Sequence, residues 1–231
     1  MKRQWQLIAV HGWGSDQHCW QTWQEPCEER GWLLECFERG YGENKEHIPQ
    51  WNSKYKHALV VNSLGLHLTP SNILAKAEAV VLLASFGKFI PDGSGGKALE
   101  IAIKGMDRKI KIGKLKELFI EFRKKVAAPQ PVDYLPAGVE DQKISEMGKM
   151  KLLKDLGLLA KCQGIPKSFP HNSAVLIVEA EKDQIVLEAS KAEMRRELNK
   201  AEIIKLDGIG HGLLMPALTE MVLNWLENNK Q

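Results

Sequence analysis

Apolar residues gather along this chain in short runs separated by polar, glycine-bearing stretches. Residues 5–10 (WQLIAV), 31–37 (GWLLECF), 58–61 (ALVV), 79–85 (AVVLLAS) and 173–179 (SAVLIVE) are such runs, and a more polar one lies at 202–206 (EIIKL). Short runs rich in Val, Ile and Leu fit strands of a sheet covered on both faces. Helical spacing is read between them: at 16–30 with Trp20 and Trp23 as the buried stripe, at 64–68 and 71–76 on either side of Pro70, at 188–199, and in a last amphipathic helix to about Asn228. Residues 38–55 read as loop with room for one short helix. Alternating strands and helices predict an α/β fold, a mostly parallel sheet with helices on both faces.

The alternation is interrupted once. Residues 87–97 hold Pro91, Asp92 and Gly93-Ser94-Gly95-Gly96 and read as a flexible joint. A phosphate-binding loop is excluded there, because Pro91 and Ala98 stand where that motif needs Gly and Ser or Thr. Residues 98–127 have helical spacing, with Leu115, Leu118, Phe119 and Phe122 on one face, and a second helical stretch covers 138–161 beyond Pro129, Pro131 and Pro136. The expected organisation is therefore one core from residues 1–88 and 165–231, with a helical lid inserted at 89–164. A chain of 231 residues suits one such domain.

Composition narrows the chemistry. No apolar stretch reaches the roughly 20 residues of a membrane span, and no signal peptide is evident, so a cytoplasmic protein is expected. Cys19, Cys27, Cys36 and Cys162 lack metal-ligand or disulfide-framework spacing, and neither a metal nor an organic cofactor is expected. A monomer is expected.

Three loops carry the candidate chemistry. Ser63 follows the 58–61 run in Asn62-Ser63-Leu64-Gly65, a turn that would lift its hydroxyl above the sheet edge. Asp183 follows the 173–179 run, and His211 lies between glycines after the 202–206 run. Singly, these residues also suit a helix N-cap, a turn and an exposed loop. In a parallel sheet, however, the carboxyl ends of the strands share one edge, so the three converge in the order serine, acid, histidine. His211 would then take the Ser63 proton, with Asp183 fixing the imidazole. The first strand ends in His11-Gly12-Trp13-Gly14, a loop whose backbone can approach a ligand closely. The backbone N–H groups of Trp13 and Leu64 are the candidate oxyanion donors.

With HGWG after the first strand, S-L-G at the turn, LLASFGKF, SAVLIVEAEKDQIV around the acid and GIGHGLL around the base, the chain resembles the α/β-hydrolase superfamily. Within it, the chain is most similar to the pimeloyl-acyl carrier protein methyl ester esterases of biotin biosynthesis, over residues 4–88 and 165–228. The resemblance implies an α/β-hydrolase fold, a helical lid at the position of the insertion, and serine carboxylesterase activity through Ser63, Asp183 and His211, with Trp13 and Leu64 as oxyanion donors. Val61 stands where the turn usually has glycine and should crowd a neighbouring strand. Leu66 replaces a second residue that is commonly small.

Residues 97–125 hold ten basic against four acidic residues in a chain whose net charge is +3, so the remainder is net negative. Such a segment should attract an acidic partner. The resemblance implies acyl carrier protein, docked by Arg108, Lys109, Lys111, Arg123 and Lys124. A different ester or thioester hydrolase, whose basic segment meets a membrane surface or an acidic metabolite, remains an alternative. So does a catalytically silent binding module. Nucleic acid is not expected, because the basic segment lacks interleaved aromatics or a recognised motif.

Overall fold

The computed structural model describes residues 3–229; residues 1–2 and 230–231, at the ends of the expected core, lie outside the described residues. Six strands, β1 (Trp5–Val10), β2 (Leu33–Phe37), β3 (Lys56–Asn62), β4 (Ala79–Leu83), β5 (Ala174–Ala180) and β6 (Glu202–Leu206), form one sheet in the order β2-β1-β3-β4-β5-β6. Every pairing is parallel. The sheet order reverses between β1 and β3, and in such sheets the crevice beyond the carboxyl ends at the reversal is where ligands bind.

Strand alternation sorts the apolar side chains into two layers. Leu7, Ala9, Val60, Val81 and Val178 face one side. Ile8, Val10, Leu59, Leu82 and Ile177 face the other. The short α1 (Gln24–Glu29) follows β1. After β3 come two one-turn helices, α2 (Gly65–Leu68) and α3 (Ser71–Leu74), and α3 adds Ile73 and Leu74 to the second layer.

Between β4 and β5 lie α4 (Ser94–Lys111), α5 (Leu115–Ala127) and α6 (Glu146–Lys161). Their apolar faces meet the loops at the carboxyl edge in a third cluster that includes Trp13, Tyr41, Leu64, Phe119, Leu152 and Leu156. After β5, α7 (Glu188–Glu197) brings Met194 to the second layer, and α8 (Leu218–Asn228) closes the first with Val222, Leu223 and Leu226.

Helix α6 is bolted to the core by a buried charge network. Asp155, 1 % exposed, accepts from Arg39 Nε at 2.6 Å, from Arg39 Nη2 at 3.0 Å and from the Tyr41 hydroxyl at 2.9 Å. The Trp13 indole N–H donates to the Leu152 carbonyl at 2.9 Å. Gly148 lets the helix approach, since a Cβ there would lie 2.1 Å from the Tyr41 carbonyl oxygen.

Several expectations shift. The first helix opens as a 3-10 segment, Gln17–Trp23, capped by Asp16, whose side chain accepts the His18 N–H at 2.9 Å. Residues 38–55 form no helix; an isolated bridge ties Glu38 to His47. The glycine run at 93–96 is not a joint but the start of α4, and a Cβ on Gly96 would lie 2.0 Å from the Pro91 carbonyl oxygen, so glycine lets the helix fold back on its own entry. Gly105 lies inside a continuous α4, whereas Gly113, at φ 78°, makes the turn into α5. Val61 crowds no strand: it is fully buried in the second layer, in register with Val10 and Leu82. Leu66 packs in the same layer.

Candidate active site

Ser63 sits one residue beyond β3 at φ 52°, a left-handed conformation that costs a non-glycine residue about 1–3 kcal/mol. The surroundings hold it there. Its N–H donates to the Leu83 carbonyl at 2.9 Å, and its carbonyl accepts from the Ser85 hydroxyl at 2.7 Å. The small residue the turn requires is Gly65, where a Cβ would lie 2.5 Å from the Val10 carbonyl oxygen.

The three candidate side chains converge. Ser63 Oγ lies 3.1 Å from His211 Nε2, and His211 Nδ1 lies 2.9 Å from Asp183 Oδ2. The remaining carboxylate oxygen accepts the backbone N–H groups of Ile185 at 2.8 Å and Val186 at 2.9 Å. Burial pushes the Asp183 carboxyl up, but His211 and the two N–H groups outweigh it and hold the group below its ordinary range. An ionised Asp183 requires the proton on His211 Nδ1, leaving Nε2 as acceptor toward the serine hydroxyl.

The loop after β1 lies against the serine: a Cβ on Gly12 would meet Ser63 Cβ at 3.1 Å. Among the described residues, neither the Trp13 nor the Leu64 backbone N–H donates to a protein acceptor. His11, to which the sequence pattern assigns no role, is fully buried. Its Nε2 accepts the Arg39 N–H at 3.2 Å, so its Nδ1 carries the proton and donates to the Gly12 carbonyl at 2.9 Å. That carbonyl shares a peptide plane with the Trp13 N–H, so His11 fixes where the N–H points. Desolvation lowers the His11 pKa against the pull of the Gly12 carbonyl and Glu38, which keeps the ring neutral. The available signal was the His-Gly pair directly after a strand.

A cavity of about 260 Å³ opens beside Ser63 and Trp13, walled by apolar side chains from α4 and α5 such as Ile103, Met106, Leu118 and Phe122. Lys109, Glu121 and Lys125 also line it. The five basic residues expected to meet a partner differ in their engagements. Lys109 pairs with Glu121 at 2.6 Å, Lys111 with Asp107 at 2.7 Å and Arg123 with Glu140 at 2.6 Å. Arg108 and Lys124 are exposed and have no carboxylate partner among the described residues.

Burial pushes the Cys36 thiol up to about 11 and the Cys27 and Cys162 thiols up to about 12, so none of these is a ready thiolate. Among the described residues no group of three or more His, Cys, Asp or Glu side chains could hold a metal ion. Nor is any helix long and apolar enough to cross a membrane.

No protein-family model matches the chain, and no curated protein matches it. Solved structures do. An esterase from Exiguobacterium antarcticum is similar with a TM-score of 0.73 and 12% identity, covering 99% of this chain and 94% of its own. A bromoperoxidase from Bacillus anthracis gives 0.67 at 17% identity, over 97% and 92%. BioG from Haemophilus influenzae gives 0.60 at 12% identity, over 92% and 91%. The fold is that of the α/β-hydrolases. Identities this low establish the architecture and leave the chemistry to the residues.

Proposed function

We propose that this protein is a serine carboxylesterase, a reading carried by the Ser63-His211-Asp183 relay with its 3.1 Å and 2.9 Å contacts. His211 Nε2 takes the Ser63 hydroxyl proton as Oγ attacks the ester carbonyl carbon. The resulting imidazolium is stabilised by the buried Asp183 carboxylate. The oxyanion is received by the Trp13 and Leu64 N–H groups, each of a kind worth about 3–4 kcal/mol to the transition state. Collapse of the tetrahedral intermediate returns the proton from His211 to the departing alkoxide, releasing the alcohol and leaving an acyl group on Ser63. A water molecule then repeats the sequence, giving its proton to His211 and freeing the acid.

The acyl group would occupy the apolar cavity, and α4 to α6 would serve as its lid. The cavity lining includes Lys109 and Lys125, and Arg108 and Lys124 are exposed nearby in sequence, an arrangement that favours a substrate whose far end is held by an acidic protein. Together with the resemblance in the motifs, this supports the methyl ester of pimeloyl-acyl carrier protein as substrate.

Hydrolysis of that carrier ester is compared with hydrolysis of a short p-nitrophenyl ester, for wild type and Ser63→Ala. Loss of both activities in the variant, with wild type preferring the carrier ester, supports the full reading. Activity on the short ester alone keeps the triad and discards the substrate; no activity on either refutes the esterase.

A further inference from the structure

Helix α5 touches three parts of the site. It gives Leu118 and Phe122 to the cavity wall. It stacks Phe119 on the Trp13 ring at 5.8 Å and sets Phe122 edge-on to it at 5.3 Å. Its last turn and the chain just beyond, residues 126–130, run against the loop that carries His211.

That loop has glycines at 208, 210 and 212, so its backbone has little intrinsic preference for one conformation. It is fixed from two sides. On the Asp183 side, the Gly208 N–H donates to Glu181 Oε2 at 2.7 Å, and the Ile209 carbonyl accepts the Lys182 N–H at 2.8 Å. On the α5 side, the Gly212 N–H donates to the Val126 carbonyl at 2.8 Å, and a Cβ on Gly210 would lie only 1.8 Å from the Ala128 carbonyl oxygen. The Gln130 amide closes the clasp. Its Nε2 donates to the Gly208 carbonyl at 2.9 Å, and its Oε1 accepts the Gly210 N–H at 3.3 Å. Two backbone groups of opposite polarity are thus read by one planar side chain, immediately before His211. A carboxylate cannot donate and an ammonium cannot accept, so a primary amide suits the place.

We propose that Gln130 is a positioning residue for His211, tying the base loop to the helix that walls the acyl cavity. It touches neither Ser63 nor the cavity; it sets the backbone from which the imidazole projects. The inference rests on the triad reading for its kinetic consequence, but its structural consequence is measurable without turnover. Misplacing a reacting group by about 1 Å costs on the order of 100-fold. Loosening one of several tethers should cost about tenfold in kcat, leaving KM within about twofold.

The test uses Gln130→Ala and Gln130→Glu in the full chain, with thermal melts, short-ester kinetics and the proton NMR resonance of the His211 Nδ1–H held by Asp183. In Gln130→Ala the expected results are a melt close to wild type, the stated kcat loss, and a Nδ1–H resonance broadened by faster exchange with water. Gln130→Glu should behave alike at neutral pH. Its kcat relative to wild type should recover as pH falls toward the carboxyl range, because the protonated acid again offers one donor and one acceptor. The proposal is overturned by an unchanged resonance and kcat in both variants, by a rise in KM at constant kcat, or by losses that follow the unfolded fraction. Wild type that has the resonance but turns over no ester defeats the esterase reading alone, and Gln130 is then judged on the resonance. Wild type without the resonance defeats both.

Discussion

Asp183→Asn is the sharpest probe of the relay, because the structure dictates how the new amide must sit. One carboxylate oxygen of Asp183 accepts two backbone N–H groups at 2.8 and 2.9 Å, so an asparagine must place its carbonyl oxygen there. Its NH2 then occupies the position of Oδ2, 2.9 Å from His211 Nδ1. A donor at that point makes Nδ1 the acceptor and moves the imidazole proton to Nε2, facing Ser63. The base now presents a proton to the hydroxyl it should deprotonate. A wrong tautomer of this kind lowers kcat by about 10⁴, equivalent to about 5.4 kcal/mol of barrier. The fold should survive, since both backbone bonds are retained and the volume barely changes. Initial rates on a p-nitrophenyl ester, normalised to protein concentration, with the melt recorded alongside to report the folded fraction, give the answer. A variant keeping a tenth of wild-type kcat would refute the assigned tautomer and with it the role of Asp183.

Three further outcomes are expected. Gly65→Ala forces its Cβ within 2.5 Å of the Val10 carbonyl oxygen, so either α2 or the end of β1 must move, and kcat should fall by at least about tenfold. An unchanged rate would mean the turn is softer than its geometry implies. Asp155→Ala strips the Arg39 guanidinium and the Tyr41 hydroxyl of their acceptor in the core, and urea unfolding should register a loss of about 3 kcal/mol, the low end for a broken buried pair because Arg39 keeps Glu46. A loss under about 1 kcal/mol would argue against a rigid α6 anchor. Asp183 also leaves a mark on stability against pH. Its folded pKa is depressed, so its contribution is complete above the ordinary aspartate value of about 3.9 and is lost as pH falls through the folded value. The stability gap between wild type and Asp183→Asn should therefore shrink only in that acid window; a gap that closes nearer neutrality would contradict the shift.

The parallel sheet was legible because five of its six strands are apolar runs, and the meeting of Ser63, Asp183 and His211 was legible because each lies in the loop that follows a strand. What escaped was set by contacts distant in sequence. The glycines before α4 look like a joint until the Pro91 carbonyl is seen against Gly96. Val61 looks like an intruder because a one-dimensional motif assigns the need for a small residue to two places, whereas the packing concentrates it at Gly65. Charge counting also could not show that the Arg123 guanidinium meets Glu140 and the Pro136 carbonyl. His11 was passed over because its work is done on the peptide beside it.

The anchoring of α6 bears on how freely the segment between β4 and β5 can be replaced. Asp155 answers Arg39 and Tyr41, and the Leu152 carbonyl answers the Trp13 indole; three residues of the sheet-edge loops are chemically incomplete without the segment between β4 and β5. A different segment packed over the same loops must supply acceptors at the same places, or leave the polar atoms of positions 13, 39 and 41 buried with fewer partners. The sheet-edge loops and the segment between β4 and β5 are thus one chemical unit, and replacing that segment means replacing the residues at those positions with it.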